Sequence, residues 1–500
     1  NDNDNDNESE NDSETMPGNN MNSKTNTGLI DNENEQHAKN SESGRTASLS
    51  SLSPKTSPDI LLHAHQMKRL SEASDLQEKQ QLMAEKIKLC ELSCDFNATS
   101  VNEKQRINNK KELLLETLQA MNGCKWNSPQ LLAACLSTIQ RNLFRALPDE
   151  TVPNGNQNTE EELEFKDPAW EHLQLIYELT FHVVTNTSVD KRTMKKHLQG
   201  QFLQRLTLLF GSPDGREPQY VKIILHAIYG RFMALRKAIR KHLCNYCYKY
   251  IYESIQDKET WQGLPEILEI FCSIFQGLNV PVKADYRLLI KNVIIPLHKT
   301  FHLDEFHDQL VACCTQFAMK DIQSVPVILG GILKYWPKFN PGKEQMFIQE
   351  IVHIITICSR DPKFITLPDF IAIIPAILDQ FLQCMKSLHH QVAERALSAW
   401  REESIYALVD VKKEEIWPKA IRMLRHNTEH YWQTTIQHLS KQLLNDFQGR
   451  DPEFFDKIVE GVSDNLPRNE EKMMTDTSNE TGQQDDNNDD NTFIHFKPMY

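Results

Sequence analysis

From Leu76 to Leu466 apolar residues recur at helical spacing, and no segment shows the period-two alternation of a strand. Phe347, Ile348, Ile351, Val352, Ile355 and Cys358 form one such stripe; Leu173, Ile176, Leu179 and Val183 form another; Trp432, Ile436, Leu439, Leu443 and Phe447 form a third. Short breaks separate the stripes at Ala146 to Asp149, Gly211 to Gly215, Asn340 to Gly342, Ser359 to Pro362 and Gly449 to Pro452. Asp361-Pro362 and Asp451-Pro452 fit a capping carboxylate followed by proline at the first helical position, where its missing N–H costs nothing. The segments between breaks predict about sixteen or seventeen helices, hence about eight pairs of about 45 to 50 residues, near the HEAT period. The expected fold is therefore an all-α, curved solenoid, with an irregular helical domain as the competing arrangement. Solenoids present extended surfaces, which suit macromolecular partners.

Charge separates this body from its flanks. The formal net charge of -14 is concentrated in residues 1–75, which carry 14 acids against 6 bases, and in residues 467–500, which carry 8 against 3. Both flanks are rich in Asn, Asp, Ser and Glu and lack hydrophobic periodicity, so burial cannot offset the entropy of ordering them. The expected organisation is a disordered tail over 1–75, a helical solenoid over 76–466 and a disordered acidic tail over 467–500. The chain begins at Asn1 rather than Met, which reads as a truncated product. No signal-like segment and no run of about 18 apolar residues stands out. Eleven cysteines, mostly inside helical patterns, read as reduced packing residues in a cytoplasmic or nuclear protein.

Chemistry-bearing motifs are scarce. Gly342-Lys343 continues with Glu344 rather than Ser or Thr, and there is no HExxH, GxGxxG or GxSxG. Cys244-x-x-Cys247 has no second pair at zinc-finger distance, and His389-His390 has no acid or thiol at metal spacing. No catalytic residue, no metal and no cofactor is expected. One segment does differ from its surroundings. Val221 to Tyr250 carries Lys222, Arg231, Arg236, Lys237, Arg240, Lys241 and Lys249 with no acid, and tyrosines interleave them. On a continuous helix His226, Tyr229 and Arg236 fall within about 80° of one another. Such a face can hold an apolar anchor and pair with a carboxylate or phosphate. A solvated basic face is the plainer reading of the same residues. In the next helical pattern Glu266, Ile270 and Ile274 share one face, which reads as core or as the floor of an adjoining groove.

Seven strings in this region and beyond carry a resemblance: Ala169-Trp170-Glu171-His172-Leu173-Gln174-Leu175-Ile176-Tyr177-Glu178, Ile228-Tyr229-Gly230-Arg231-Phe232, Tyr250-Ile251-Tyr252-Glu253, Glu266-Ile267-Leu268-Glu269-Ile270, Pro296-Leu297-His298-Lys299, Leu333-Lys334-Tyr335-Trp336-Pro337-Lys338 and Gln391-Val392-Ala393-Glu394-Arg395-Ala396-Leu397. They resemble, in order, the B-prime family of regulatory subunits of protein phosphatase 2A, over about Leu76 to Phe447. The resemblance implies a stack of about eight HEAT-like pairs and a non-catalytic role. Such subunits bind the phosphatase scaffold (A) and catalytic (C) subunits and recruit phosphoproteins carrying Leu-x-x-Ile-x-Glu peptides. Carried over by position, the peptide groove comprises His226, Tyr229, Arg236, Glu269, Ile270, Ile274 and Lys283, with Tyr286 at its edge.

Two positions depart from the family pattern. Ala227 stands where the family has arginine, and Tyr286 stands where it has histidine. Loss of one charge-assisted contact costs about 1.5–3 kcal/mol, roughly ten- to hundredfold in affinity. The loop Gly211 to Tyr220 is also less acidic than its family counterpart. The competing function is a solenoid that binds nucleic acid or cargo through the basic strip, although the nearly neutral body offers little electrostatic footprint. Ser53-Pro54, Ser57-Pro58 and Arg45-x-x-Ser48 make Ser48, Ser53 and Ser57 candidate phosphorylation sites.

Overall fold

The computed structural model describes residues 58–123, 125–147, 165–253 and 263–463. Among these, nineteen α-helices follow one another with no strand. They are α1 (Leu76–Leu89), α2 (Val101–Gly123), α3 (Pro129–Leu143), α4 (Trp170–Thr185), α5 (Lys191–Leu198), α6 (Gln201–Leu208), α7 (Glu217–Arg231), α8 (Arg236–Glu253), α9 (Leu264–Gln276) and α10 (Ala284–Leu289). After a wide-turn and 3-10 continuation over 290–299 come α11 (His307–Lys320), α12 (Val325–Lys334), α13 (Pro341–Cys358), α14 (Pro368–Met385), α15 (His390–Ala399), α16 (Glu403–Val411), α17 (Lys413–His430), α18 (Thr434–Arg450) and α19 (Pro452–Ser463).

Helices from successive repeats stack in two layers. In the first, α4 packs on α7, α7 on α9, α9 on α11, α11 on α13, α13 on α15 and α15 on α18. In the second, α6 packs on α8, α8 on the 290–299 segment, that segment on α12, α12 on α14, α14 on α17 and α17 on α19. This is an all-α solenoid. The helix count exceeds expectation because some repeats build one arm from two short pieces: Gly200, at φ 70°, turns the chain between α5 and α6.

The stripes explain the burial. Leu173, Ile176, Leu179 and Val183 of α4 are buried, as are Phe347, Ile348, Ile351, Ile355 and Cys358 of α13. Trp432 does not belong to the α18 stripe: it lies before the helix, exposed, and its indole N–H donates to the Leu388 carbonyl at 3.1 Å. The Asp451 carboxylate caps α19, accepting from the Phe454 amide at 3.1 Å. Asp361-Pro362 opens a turn instead, and α14 begins six residues later at Pro368, because the intervening chain tucks Phe364 into the core against Phe370 at 4.0 Å.

Packed structure also begins earlier than Leu76. A 3-10 helix at Pro58–Gln66 buries Leu61, and Asn109 of α2 donates to the Leu61 and Leu62 carbonyls at 2.9 and 3.1 Å. Residues 1–57 and 464–500, with Ser48, Ser53 and Ser57, lie outside the described residues. Among the described residues one helix, α14, is long and apolar enough to cross a membrane by composition, with mean hydropathy 1.2 over 18 residues. Its Phe370, Ile374, Ile377 and Phe381 are fully buried within the stack, and its Asp379 pairs with Lys419 of α17 at 2.9 Å, which makes it a core helix.

Candidate functional site

The basic helix is not continuous. α7 ends at Arg231, Phe232 and Leu235 turn into the core, and α8 restarts at Arg236. Arg236 therefore does not share a helical face with His226 and Tyr229. It returns through the turn: its Nε donates to the Tyr229 carbonyl at 2.9 Å, capping an acceptor left open at the C-terminus of α7, and its guanidinium lies 5.0 Å from the Tyr229 ring centre. Arg240, one turn on, donates to the Tyr229 hydroxyl at 3.3 Å and lies over the Tyr286 ring at 4.9 Å. Burial raises the Tyr286 phenol above its ordinary value, and the neighbouring Tyr229 adds to the rise. Two tyrosines and two guanidiniums thus form one cluster where α7, α8 and α10 meet. Lys283 is exposed just before α10.

Beside this cluster α4, α7 and α9 enclose an open cavity of about 300 Å³. Its lining contains three residues expected from sequence, His226, Glu269 and Ile270, together with Phe181, Lys222, Ile223 and Ala227. His226 Nε2 lies 2.9 Å from the Ser273 hydroxyl, and the Lys222 ammonium pairs with Glu269, so both walls are tied across the α7–α9 seam. Ile270 and Ile274 are nearly fully buried, and Ile270 contributes only its edge to the cavity. Glu266 points elsewhere, accepting from Gln219 at 2.6 Å, and burial raises its carboxyl.

Sequence reasoning missed Phe181 and Ile223. They are 40% and 49% exposed and lie off the buried stripes of α4 and α7. An apolar side chain out of phase with its own stripe was the available signal. Ala227 lines the same cavity with a short side chain.

The basic strip as a whole is largely engaged internally. Besides Lys222, Arg236 and Arg240, Arg231 donates to the Val184 and Val189 carbonyls, and Lys249 pairs with Glu253 at 3.5 Å. The loop 211–220 also turns its acids inward. Arg145 binds Glu217 through two hydrogen bonds at 2.9 and 3.0 Å and Asp167 at 2.9 Å; Tyr177 donates to Glu217 at 2.7 Å; Arg216 forks onto Asp214 and lies 4.6 Å from the Trp170 ring centre. Burial opposes charging Asp214, but hydrogen bonds from Arg216 and from the Asp167 amide hold its carboxyl below the usual range.

Among the described residues one buried set could surround a cation: His298, Cys314 and Glu350. Its atoms already satisfy one another. His298 Nδ1 lies 2.8 Å from the Ile295 carbonyl, an acceptor, so Nδ1 is the donor; Nε2 lies 3.0 Å from a Glu350 oxygen and is also best placed as a donor. His307 Nε2 sits 3.1 Å from the other Glu350 oxygen. Burial opposes charging His298, but Glu350 and the Ile295 carbonyl together raise its value above the ordinary one. Burial likewise opposes Glu350, yet His298 and His307 hold its carboxyl down to about 2. The set is a buried ion pair joining the 290–299 segment, α11 and α13.

The chain matches the family model described as protein phosphatase 2A regulatory B subunit (B56 family) over residues 68–483. It is 32% identical over 391 residues to the B' epsilon isoform of the 57 kDa regulatory subunit of serine/threonine protein phosphatase 2A from Arabidopsis thaliana, covering 77% of this chain and 76% of that one. The B' beta isoform from the same plant is 34% identical over 384 residues, covering 76% and 74%. The B' kappa isoform of Oryza sativa subsp. japonica is 32% identical over 381 residues, covering 76% and 72%.

Proposed function

Because the chain belongs to the B56 family of protein phosphatase 2A regulatory B subunits and is therefore a non-catalytic subunit of that enzyme, we propose that it binds the scaffold and catalytic subunits and recruits substrates through the α4–α7–α9 groove. The observation that carries the reading is a cavity with an apolar floor whose His226 stands one turn of α7 before Tyr229 of the cationic cluster. An extended peptide lying across this seam places an apolar side chain against Phe181, Ile223 and Ile270. Its following acidic residue reaches Arg236, Arg240 and Lys283. Leu-x-x-Ile-x-Glu has this order of chemistry.

The basic strip supports nucleic-acid binding less well, since most of its cations are held by carbonyls, rings and carboxylates of the same chain. The test is a fluorescence-polarisation titration of the full chain with a labelled Leu-x-x-Ile-x-Glu peptide. Ile223→Asp and Arg240→Ala are each expected to weaken binding at least tenfold. Equal affinity in both variants would remove the groove from the reading while leaving the family assignment untouched.

A further inference from the structure

The buried set around Glu350 contains a group that an ion pair does not need. His298 and Glu350 supply the opposite charges, and His307 Nε2 anchors one carboxylate oxygen, Oε2, at 3.1 Å. Cys314 adds a thiol. Its Sγ, a ring nitrogen of His298 and a carboxylate oxygen of Glu350 all lie within 4.8 Å of one another, and none of the three residues is more than 1% exposed. The adjacent Cys313 is turned the other way, its S–H donating to the Leu268 carbonyl of α9 at 3.0 Å. Of two consecutive thiols on α11, only Cys314 is directed to the carboxylate of α13.

We propose that His298, Cys314 and Glu350 bind a zinc ion that fastens the 290–299 segment, α11 and α13 to one another. Imidazole nitrogen, thiolate and carboxylate are the three donor types zinc takes, with a water completing four-coordination. Calcium and magnesium take oxygen shells, which two of these three donors do not provide. A tetrahedral zinc with bonds of about 2.0–2.3 Å sets its donors about 3.4–3.6 Å apart. His298 Nε2 and Glu350 Oε1 already stand 3.0 Å apart, and the limit of 4.8 Å on the sulfur leaves only a side-chain adjustment to close the set.

The surroundings hold the donors in place. His298 Nδ1 donates to the Ile295 carbonyl at 2.8 Å, which fixes the tautomer whose Nε2 lone pair faces a metal. The Phe347 ring stands edge-on to the imidazole at 5.6 Å and restrains its plane. His307 keeps hold of Glu350 Oε2 while Oε1 binds, and at 8% exposed it brings this side of the set toward the surface. Charge is conserved as well. Zinc replaces two protons, one from the His298 imidazolium and one from the Cys314 thiol, and both leave to solvent. Imidazolium, thiol and carboxylate sum to zero, as do a divalent ion, imidazole, thiolate and carboxylate, so the interior carries no uncompensated charge in either form. The members lie 16 and 36 residues apart in sequence, on three elements, so no local motif announces them.

The full chain is stripped with a chelator, freed of it and titrated with cobalt(II), whose thiolate complexes give a charge-transfer band in the near ultraviolet. Zinc is then added in competition, and thermal melting is followed with and without zinc. The native chain is expected to show the thiolate band at about one cobalt per chain, to lose it to zinc, and to melt at a higher temperature with zinc than without. Cys313→Ala is expected to keep the band and the zinc-dependent rise in melting temperature, and Cys314→Ala to lose both. A native chain without the band, or a band that persists in Cys314→Ala, overturns the proposal. Zinc-edge X-ray absorption of the zinc-loaded native chain is independent of any variant. A shell with one sulfur among nitrogen and oxygen donors supports the set; a shell with no sulfur, or with two or more, rejects it.

Discussion

Glu350→Gln tests the buried ion pair that ties α13 to α11 and the 290–299 segment. Glu350 and His298 are 1% exposed each, and the carboxylate receives both His298 and His307. The amide keeps the shape but removes the charge that holds His298 protonated. Breaking a buried pair by removing one partner costs about 3–5 kcal/mol. Stability in a solenoid is local to neighbouring repeats, so the loss belongs to α11 and α13 and is best read there by native-state hydrogen exchange. At 1.36 kcal/mol per decade, amide protection in these helices falls by about two to four orders of magnitude. The pH dependence fixes the cause. His298 is raised, so its contribution is complete below about 6.5 and fades as pH climbs through the folded-state value. Glu350 is lowered to about 2, so its contribution is complete above about 4.5 and fades as pH falls toward that value. The gap between native and variant protection, after correction for intrinsic rates, is therefore widest near pH 5 to 6 and narrows toward pH 9. A gap below tenfold, or one equal at pH 6 and pH 9, would refute a charged pair at this position.

Two further substitutions probe the packing of the stack. Gly331→Ala gains helix propensity of about 1 kcal/mol, but its new Cβ would sit 2.3 Å from Ile295 Cγ2; a net loss of about 1–3 kcal/mol in urea unfolding is expected, with recovery in combination with Ile295→Leu, which lacks that methyl. Tyr177→Phe removes the hydroxyl that donates to the fully buried Glu217, and calorimetry should show a loss of about 1–3 kcal/mol; an unchanged melting temperature would mean that Arg145 alone satisfies this carboxylate.

The architecture was legible wherever one helix face alone determines burial. The α4 and α13 stripes carry phase over about three turns, and proline and capping residues mark several starts. Breaks without those marks were not legible. Phe232-Met233-Ala234-Leu235-Arg236-Lys237 contains no proline and no glycine, and most of its residues favour helix, so the only local hint of the end of α7 is Gly230, still inside the helix. Phe232 and Leu235 are both buried while Met233, between them, is 72% exposed, an arrangement that tertiary packing selects and that composition does not encode. The same logic accounts for Asp361-Pro362. A cap-like dipeptide loses to the burial of Phe364 two residues later.

That hidden break also changes what the candidate site is. Treated as one helix, the segment places Arg236 on the face of His226 and leaves Arg240 without a role. Folded as a turn, it stacks Arg236 on Tyr229 and Arg240 on Tyr286, so aromatic rings hold both guanidiniums at fixed positions. An ordered guanidinium loses less rotamer freedom when it meets a carboxylate than one swinging in solvent. Tyr286, which counts as a lost cationic contact when only the family pattern is considered, here organises a cation that the pattern does not name. Ala227 has no such compensation: of the basic side chains in its cavity, the His226 imidazole is tied to Ser273 and the Lys222 ammonium is paired with Glu269. In the groove proposed above, the Arg240 end is therefore expected to prefer an acid, and the part over Ala227 an apolar residue over a phosphorylated one.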